Sequence, residues 1–221
     1  MNSLNQNIAI VLTRKGSKRI KNKNSKPFYK DKSLLEILLV KLLEVNQFDR
    51  IISSSNCTQC LSLSKKYNVG IHIRSQINSS STACSISALD EVLTSLDINS
   101  GNIFLFQCTS PFLSLHTISN FINFSNTQST NSVVTTGHIS KNDIWSIDSK
   151  RIFIGDPRRQ QSRSGFYIEN SAIYKIPFFQ GTLNFDLNNF KFFQISEREG
   201  IDINTEEEWL HSQILFSHFN S

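Results

Sequence analysis

The stretch "NIAIVLT" at residues 7–13 is followed directly by "RKGSKRIKNKN" at residues 14–24. The first stretch is a short run of mostly apolar and β-branched residues, which is typical of a strand buried on both faces of a sheet. The second stretch is rich in Lys and Arg and contains a Gly, so it predicts a cationic loop. The chain therefore begins with a core strand that delivers positive charge to one edge of a sheet.

Strand-like and helix-like segments alternate along most of the remaining sequence. Besides 7–13, the predicted strands are residues 49–55, 69–74, 102–107, 132–138, 171–176 and 190–195, and the predicted helices are residues 32–46, 59–68, 82–97, 116–126 and 205–219. Ser33 and Thr205 are the expected N-caps, and Glu208 completes a capping box with Thr205. This alternation predicts a three-layer α/β fold with a mostly parallel, Rossmann-like sheet, interrupted by an irregular insertion at about 139–169.

Ligands of such sheets bind beyond the carboxyl ends of the strands. That rule brings three segments to one edge of the sheet. They are the cationic loop, "SSSN" at residues 53–56 and "QCTSPF" at residues 107–112. We therefore expect the functional site to be built from these three segments.

The distribution of charge favours a small anionic ligand. The net charge is +5, and residues 14–32 contain nine of the 23 basic residues but one of the 18 acidic residues. A single basic loop on a mildly acidic body is more typical of triphosphate binding than of nucleic-acid binding, which uses a broader basic face. Gly16 lets the backbone approach a phosphate chain closely, and Arg14, Lys18 and Lys23 supply cations for its oxygens.

Several classes of protein are disfavoured. Neither the Walker pattern GxxxxGK[ST] nor GxGxxG occurs, so we do not expect a P-loop ATPase or a dinucleotide-binding enzyme. No apolar run approaches about 20 residues and the N-terminal "MNSLNQN" is polar, so we expect a cytoplasmic protein without a membrane partner. Cys57 and Cys60 have C-x-x-C spacing, but Cys84 and Cys108 do not form the second pair of a zinc ribbon, which favours free thiols.

Five short segments carry the most specific pattern. They are "IAIVLTRKGSKRIKNKNSKPF" at residues 8–28, "FDRIISSSN" at 48–56, "QCTSPF" at 107–112, "ENSAIYKI" at 169–176 and "GIDINTEEEW" at 200–209. In this order they resemble the motifs of the N-acylneuraminate (CMP-sialic acid) cytidylyltransferases. The resemblance implies one domain over residues 1–221 with the α/β fold of the nucleotide-diphospho-sugar transferases. It also implies transfer of a cytidylyl group from CTP to the anomeric hydroxyl of a nine-carbon acidic keto sugar, with release of pyrophosphate.

The resemblance also implies roles for particular side chains. The residues expected to bind the nucleotide are Arg14, Gly16, Ser17, Lys18, Lys23, Asn24, Arg74 and Ser85, the last two at the base and ribose. The residues expected to hold the acidic sugar are Gln107, Arg159, Asn170 and Tyr174. The expected catalytic residues are Arg14, Lys23 and Asp202. The insertion would form a homodimer, in which Arg158, Arg159 and Arg163 reach the pocket of the neighbouring subunit.

The resemblance further implies a Mg²⁺ site in "DIN", residues 202–204. Side chains two residues apart in an extended chain point the same way, so Asp202 and Asn204 can offer two oxygen atoms to one hard cation. The family has a second aspartate where this chain has Asn204, whose amide oxygen brings one less negative charge. We therefore expect weaker metal binding that relies more on the triphosphate.

Other departures from the family pattern bear on the substrate. Ile168 stands where the family often has an arginine, and Ser171 stands where it has a glycine. A legionaminic, pseudaminic or Kdo-like acid is therefore an alternative to sialic acid, and GTP is an alternative to CTP. Two alternatives belong to other classes: a catalytically impaired nucleotide-binding relative, because of Asn204, and an RNA-binding domain that uses the cationic loop, although no RNA-recognition motif accompanies it.

Overall fold

A computed structural model describes residues 6–138, 144–145, 151–153, 167–186 and 189–220, with the backbone alone at 136–138, 144–145, 151–153 and 167–168. Most of the predicted insertion, including Arg158, Arg159 and Arg163, lies outside the described residues. The expected dimer contact through this insertion therefore stays a prediction.

The strands and helices follow the predicted alternation. In chain order, the strands are β1 (Asn7–Leu12), β2 (Pro27–Tyr29), β3 (Lys32–Ser33), β4 (Arg50–Ser55), β5 (Gly70–Ile73), β6 (Ser100–Phe106), β7 (Asn131–His138), β8 (Ile144–Trp145), β9 (Arg151–Phe153), β10 (Tyr167–Phe179), β11 (Thr182–Leu183) and β12 (Phe190–Gln194). The helices are α1 (Leu34–Val45), α2 (Thr58–Lys66), α3 (Ser85–Ser95), α4 (Leu115–Asn126) and α5 (Glu206–Asn220). The largest difference is β10, which is 13 residues long and extends the predicted strand at both ends.

One mixed sheet organises the fold, in the order β12-β7-β10-β6-β1-β4-β5, with β11 paired to the end of β10. β1 is parallel to both β4 and β6, β4 is parallel to β5, and β12 is parallel to β7. β10 runs antiparallel to its neighbours β6 and β7. The prediction of a three-layer α/β fold with a mostly parallel sheet is confirmed, and β10 adds an antiparallel element to it.

The side chains of β1 alternate between two hydrophobic layers, one on each face of the sheet. Ile8 and Ile10 pack with residues of α3, whereas Ala9 and Val11 belong to the layer that contains residues of α1, α2, α4 and α5. Both sets are fully buried. Because the strand is covered on both faces, its sequence is apolar without interruption, as in other parallel strands of α/β proteins.

A capping box fixes the start of α1. The Ser33 hydroxyl accepts from the Glu36 backbone N–H at 3.3 Å, and the Glu36 carboxylate accepts from the Ser33 backbone N–H at 3.0 Å. The predicted box at α5 is also present, since the Thr205 hydroxyl accepts from Glu208 N–H and the Glu208 carboxylate accepts from Thr205 N–H. These reciprocal bonds satisfy backbone donors that a helix leaves unpaired at its first turn.

The four cysteines are free thiols, and Cys57, Cys60 and Cys108 are buried. Cys57 immediately precedes α2 and Cys60 lies inside it, so the C-x-x-C spacing here is part of a helix start. Across the described ranges, none of the helices is both long enough and apolar enough to cross a membrane.

The Ser33 capping box predicts a stability effect. Ser33→Ala removes the hydroxyl that accepts from Glu36 N–H, and we expect the free energy of unfolding to fall by about 1 kcal/mol in chemical denaturation. Ser62→Ala, at an exposed position inside α2, is the control and should change it by less than about 0.5 kcal/mol. Equal stability of the Ser33 variant and the wild type would contradict a stabilising role for this cap.

Candidate active site

A cavity of about 570 Å³ lies beyond the carboxyl ends of β1, β5 and β6. Ten of the residues predicted from the sequence line it: Arg14, Ser17, Lys18, Lys23, Asn24, Arg74, Ser85, Gln107, Asp202 and Asn204. Arg74 directly follows β5, and Gln107 directly follows β6. The parallel arrangement of these strands therefore gathers residues that are up to 190 positions apart in the sequence, from Arg14 to Asn204.

The cationic loop after β1 contains Gly16, at a position that requires glycine. Gly16 has φ +89°, in the left-handed region, whereas the space that a Cβ would occupy is open. The requirement is therefore one of backbone conformation and not of space. The start of the loop is joined to the end of β4, its neighbour in the sheet. Thr13 N–H donates to Ser54 O at 2.9 Å, and Lys15 N–H donates to Asn56 Oδ1 at 2.7 Å.

The far end of the cationic loop is held by the segment that precedes α5. The Lys23 ammonium donates to the Ile203 carbonyl at 2.8 Å, and the Arg19 guanidinium donates to Asn204 Oδ1 at 3.3 Å. Burial lowers the pKa of Lys23, with Asp202 acting in the opposite direction. Both cations therefore face neutral acceptors, and their charge remains available to an anion in the cavity.

Arg74 forms the opposite wall of the cavity. Arg74 is 7% exposed, and its Nε is buried without a hydrogen-bond partner among the described residues. Burial also lowers the pKa of this guanidinium, while Glu91 raises it. A buried donor without a partner is costly, and because Arg74 lines the cavity, its guanidinium can also contact a bound molecule.

Glu91 of α3 is a positioning residue that sequence reasoning missed. Its carboxylate accepts from Ser75 N–H at 2.7 Å, from the Ser75 hydroxyl at 2.9 Å and from Asn78 Nδ2 at 2.5 Å. Burial works to raise the pKa of Glu91, but the hydrogen bonds from Asn78 and Ser75 outweigh it and the pKa is lowered. Glu91 thus anchors the loop at 75–84, whose Ser80, Ser81 and Ala83 line the cavity. No local sequence signal marks it, because its partners come from a preceding loop.

Asp202 and Asn204 lie side by side at the cavity, as the extended "DIN" pattern predicted. Asn204 Nδ2 donates to Asp202 Oδ2 at 2.5 Å, and Asp202 Oδ1 is buried without a partner. A hard cation could use two oxygen atoms here: Asp202 Oδ1, which is buried, and Asn204 Oδ1, which already accepts from the Arg19 guanidinium. Among the described residues, no group of three or more His, Cys, Asp or Glu side chains could hold a metal ion. The residues fit a cation that takes most of its ligands from elsewhere.

Two of the predicted sugar-binding residues, Asn170 and Tyr174, do not line this cavity. Asn170 is buried, and its amide is hydrogen-bonded to the backbone: Nδ2 donates to Gly200 O at 2.6 Å and Oδ1 accepts from Ala172 N–H at 3.0 Å. Tyr174 packs edge-on against Phe190 and donates to a carboxylate oxygen of Glu169. Arg159 lies outside the described residues. Of the "ENSAIYKI" segment, it is Ser171 that lines the cavity.

Other lining residues were not predicted individually. They are Leu12, Arg19, Ile20, Ser80, Ser81, Ala83, Cys108, Thr109 and Ser171. All except Ser80, Ser81 and Ala83 lie inside the quoted motifs, so the sequence contained a signal for them. The serines at 80 and 81 lie in a polar loop between β5 and α3, where residue type alone does not distinguish a lining side chain from a solvated one.

The fold and the cavity together define an α/β protein with a cationic site at the carboxyl edge of a mixed, Rossmann-like sheet. A family model described as cytidylyltransferase matches residues 8–172, well over half of the chain. The chain therefore belongs to the cytidylyltransferase family.

Solved structures share this fold over most of the chain. The structure of CMP:2-keto-3-deoxy-manno-octonic acid synthetase complexed with CTP is similar with a TM-score of 0.71 at 11% identity, over 96% of this chain and 99% of that one. A 4-diphosphocytidyl-2C-methyl-D-erythritol synthase from Anaerococcus prevotii gives 0.65 at 17% identity, over 96% of both chains. A further 4-diphosphocytidyl-2C-methyl-D-erythritol synthase gives 0.69 at 11% identity, over 97% and 100%. At these identities the likeness establishes a shared fold.

The contacts of Glu91 predict a local effect on the loop at 75–84. Glu91→Gln replaces one acceptor oxygen by an NH₂ group that faces the donors of Ser75 and Asn78. We expect hydrogen exchange of the Ser75 amide to become about tenfold faster or more, because hydrogen bonds to a charged group contribute more than neutral ones. Asp90→Asn, at the exposed neighbouring position of α3, should leave that exchange unchanged. Unaltered exchange in the Glu91 variant would rule out this anchoring role.

Proposed function

We propose that this cytidylyltransferase transfers the cytidylyl group of CTP to the anomeric hydroxyl of a nine-carbon acidic keto sugar, such as sialic or legionaminic acid. The products are the CMP-sugar and pyrophosphate. The observation that carries the proposal is the cavity, which is lined by five cations, Arg14, Lys18, Arg19, Lys23 and Arg74, and by one carboxylate, Asp202, among its described residues. The family membership of the chain supports CTP as the donor.

The reaction needs positioning and charge stabilisation more than covalent catalysis. The sugar oxygen forms a bond to the α-phosphorus, the bond from that phosphorus to pyrophosphate breaks, and the hydroxyl proton leaves to solvent or to a neighbouring base. Negative charge accumulates on the phosphate oxygens, where Arg14 and Lys23 would donate charge-assisted hydrogen bonds. Lys18 would neutralise the leaving pyrophosphate. Holding the two substrates in line supplies a further large part of the rate enhancement.

The base would lie against Arg74 and the loop at 75–84. Cytosine presents a carbonyl oxygen and a ring nitrogen as adjacent acceptors, to which the guanidinium of Arg74, a lining residue of the cavity, could donate. Ser81 and Ser85 offer hydroxyls at the same side of the cavity, where they can contact the ribose. Arg74, Ser81 and Ser85 therefore form the proposed nucleoside end of the site.

The acceptor sugar would enter next to Gln107 and Ser171, at the end of the cavity away from Arg74. One structural neighbour is named as a synthetase of an acidic keto sugar, CMP:2-keto-3-deoxy-manno-octonic acid, which supports this class of acceptor. Arg159 is proposed as the partner of the sugar carboxylate, supplied by the insertion of a second subunit in a homodimer. A Kdo-like or pseudaminic acid remains the alternative acceptor, and GTP the alternative donor.

Asp202 Oδ1 and Asn204 Oδ1 are the atoms that would hold Mg²⁺. When bound, the ion supplies positive charge to the phosphate oxygens. Asn204 also orients Asp202, because its amide donates to Oδ2, while Oδ1 has no hydrogen-bond partner among the described residues. A second candidate function follows from the same contact: if one carboxylate is too few, the chain is a nucleotide-binding relative without transferase activity.

Pyrophosphate release tests the proposal directly. Wild-type protein, tested with four nucleoside triphosphates against sialic, legionaminic, pseudaminic and Kdo acids, should release pyrophosphate with CTP and an acidic keto sugar in the presence of Mg²⁺. Lys23→Met should lower kcat by roughly 10²–10³, because it removes the ammonium held at the phosphate end. Lys21→Met, an exposed cation of the same loop outside the cavity, should retain the wild-type kcat. Binding of CTP without pyrophosphate release from any pair would favour the impaired relative.

The Asp202–Asn204 pair predicts a change in metal affinity that does not depend on activity. Asn204→Asp adds a second carboxylate and removes the amide that occupies Asp202 Oδ2. We expect the free variant to bind Mn²⁺, a probe for Mg²⁺, about tenfold more tightly than the wild type, measured by electron paramagnetic resonance of unbound Mn²⁺. Asn189→Asp, at an exposed position before β12, is the matched control. If both variants bind Mn²⁺ like the wild type, residues 202 and 204 are not the ligands.

A further inference from the structure

We propose that a second cavity, between α1, α5 and residues 111–115, binds a small amphipathic carboxylate and that its occupancy alters the nucleotide cavity. This cavity has a volume of about 510 Å³, which is within the range of small-molecule sites. Nothing in the proposed transferase reaction uses it.

The walls of the second cavity are mainly apolar. Ile37 and Val40 of α1 form one side, and Phe216 of α5 faces them. Phe112 and Leu113, from the segment after β6, complete the floor. All of these except Val40 are buried in the hydrophobic core, so the apolar surface is already present in the free protein. An apolar chain or ring of a ligand would therefore enter a preformed site.

Cations surround this apolar floor. Lys30, Lys32, Lys41 and Arg198 line the cavity, and Glu44 is the one acid among its described lining residues. The Arg198 guanidinium stacks over the Phe219 ring with 4.3 Å to its centroid, which fixes one cation at the rim. An excess of three positive charges next to an apolar surface is complementary to a ligand with one apolar part and a carboxylate.

Lys41 supplies the innermost of these cations. Its ammonium donates to Pro111 O at 2.5 Å and to Leu113 O at 2.7 Å, and it makes no ion pair within the described ranges. An ammonium carries three donors, so one N–H remains for a ligand carboxylate. Burial lowers the pKa of Lys41 to about 8, with Glu199 and Glu44 acting to raise it. A ligand carboxylate would offset this loss of solvation.

Two chain segments connect this cavity to the nucleotide cavity. Residues 107–115 contribute Gln107 and Thr109 to the nucleotide cavity and continue to the floor of the second one. Residues 198–204 likewise run from Arg198 at the second cavity to Asp202 and Asn204 at the first.

Hydrogen bonds join the two segments at both ends. Ile203 N–H donates to Thr109 O at 2.9 Å, and Glu199 accepts from Ser114 N–H at 3.1 Å and from its hydroxyl at 2.8 Å. A small backbone shift of residues 111–113 on ligand binding at Lys41 would therefore reach Asp202 through these hydrogen bonds. This two-segment connection is the physical basis of the proposed coupling.

Amide NMR spectra of the protein, recorded with 4-phenylbutyrate as the probe and 4-phenylbutanol as its neutral analogue, test the binding site without CTP. We expect the carboxylate to shift the Lys41 and Leu113 amide signals and to bind at least about fivefold more tightly than the alcohol. The Thr109 and Ile203 signals should shift with the same affinity, whether or not the protein is an active transferase. Equal binding of acid and alcohol would overturn the anion preference, and unshifted Thr109 and Ile203 signals would overturn the coupling.

Substitutions of the exposed cations of the second cavity leave its apolar walls unchanged. Lys32→Gln combined with Arg198→Gln should weaken 4-phenylbutyrate binding by roughly fivefold, since exposed charges contribute modestly. Lys65→Gln, an exposed cation of α2 outside both cavities, should leave it unchanged. An undiminished affinity of the double variant would overturn the proposal. Signals of the cavity that shift with protein concentration and not with the probe would show that a second copy of the chain covers it, which would also overturn it.

Discussion

The structure depends on holding several cations close together at the end of one strand without neutralising them. Lys23 donates to the Ile203 carbonyl and Arg19 donates to an amide oxygen of Asn204. Both acceptors are neutral, so each cation is positioned without losing its charge to a carboxylate. The ion pair of this region, Lys26 with Glu206 at 3.3 Å, lies outside the cavity lining. The mutual repulsion that remains is relieved by a polyanionic ligand, which makes the same charges a binding site.

The site can form only when the C-terminal segment docks onto the N-terminal part of the chain. Phe28, which follows the cationic loop, packs edge-on against Trp209 at 5.0 Å and against Phe216 at 5.5 Å between ring centroids. Lys26 lies over the Trp209 ring at 4.1 Å. These contacts fix α5 beside β2, so that residues 202–204 reach the cationic loop. Aromatic packing, which contributes more than area burial alone, therefore determines the geometry of the polar site.

The sequence allowed correct prediction of those features that depend on local pattern or on the parallel sheet rule. The apolar run of β1, the Ser33 cap and the common orientation of Asp202 and Asn204 each follow from spacing within a few residues. Glu91 could not be predicted, because its role arises from Ser75 and Asn78 on another element. The 13-residue length of β10 also exceeded its predicted span, since pairing with both β6 and β7 extends a strand beyond its own propensity.

Asn204, where the family has an aspartate, lowers the negative charge that this part of the cavity offers to a cation. An aspartate at this position could accept from Arg19 but could not donate to Asp202, and two adjacent carboxylates would repel each other without a cation. The amide makes both contacts, so Arg19, Asn204 and Asp202 are joined by hydrogen bonds in the free protein. The described lining of the cavity then carries five cations and one carboxylate, a balance that attracts a triphosphate and repels a free divalent ion. The proposed metal ion would therefore need the phosphates of a bound nucleotide, which supply the negative charge and the oxygen ligands that this lining lacks.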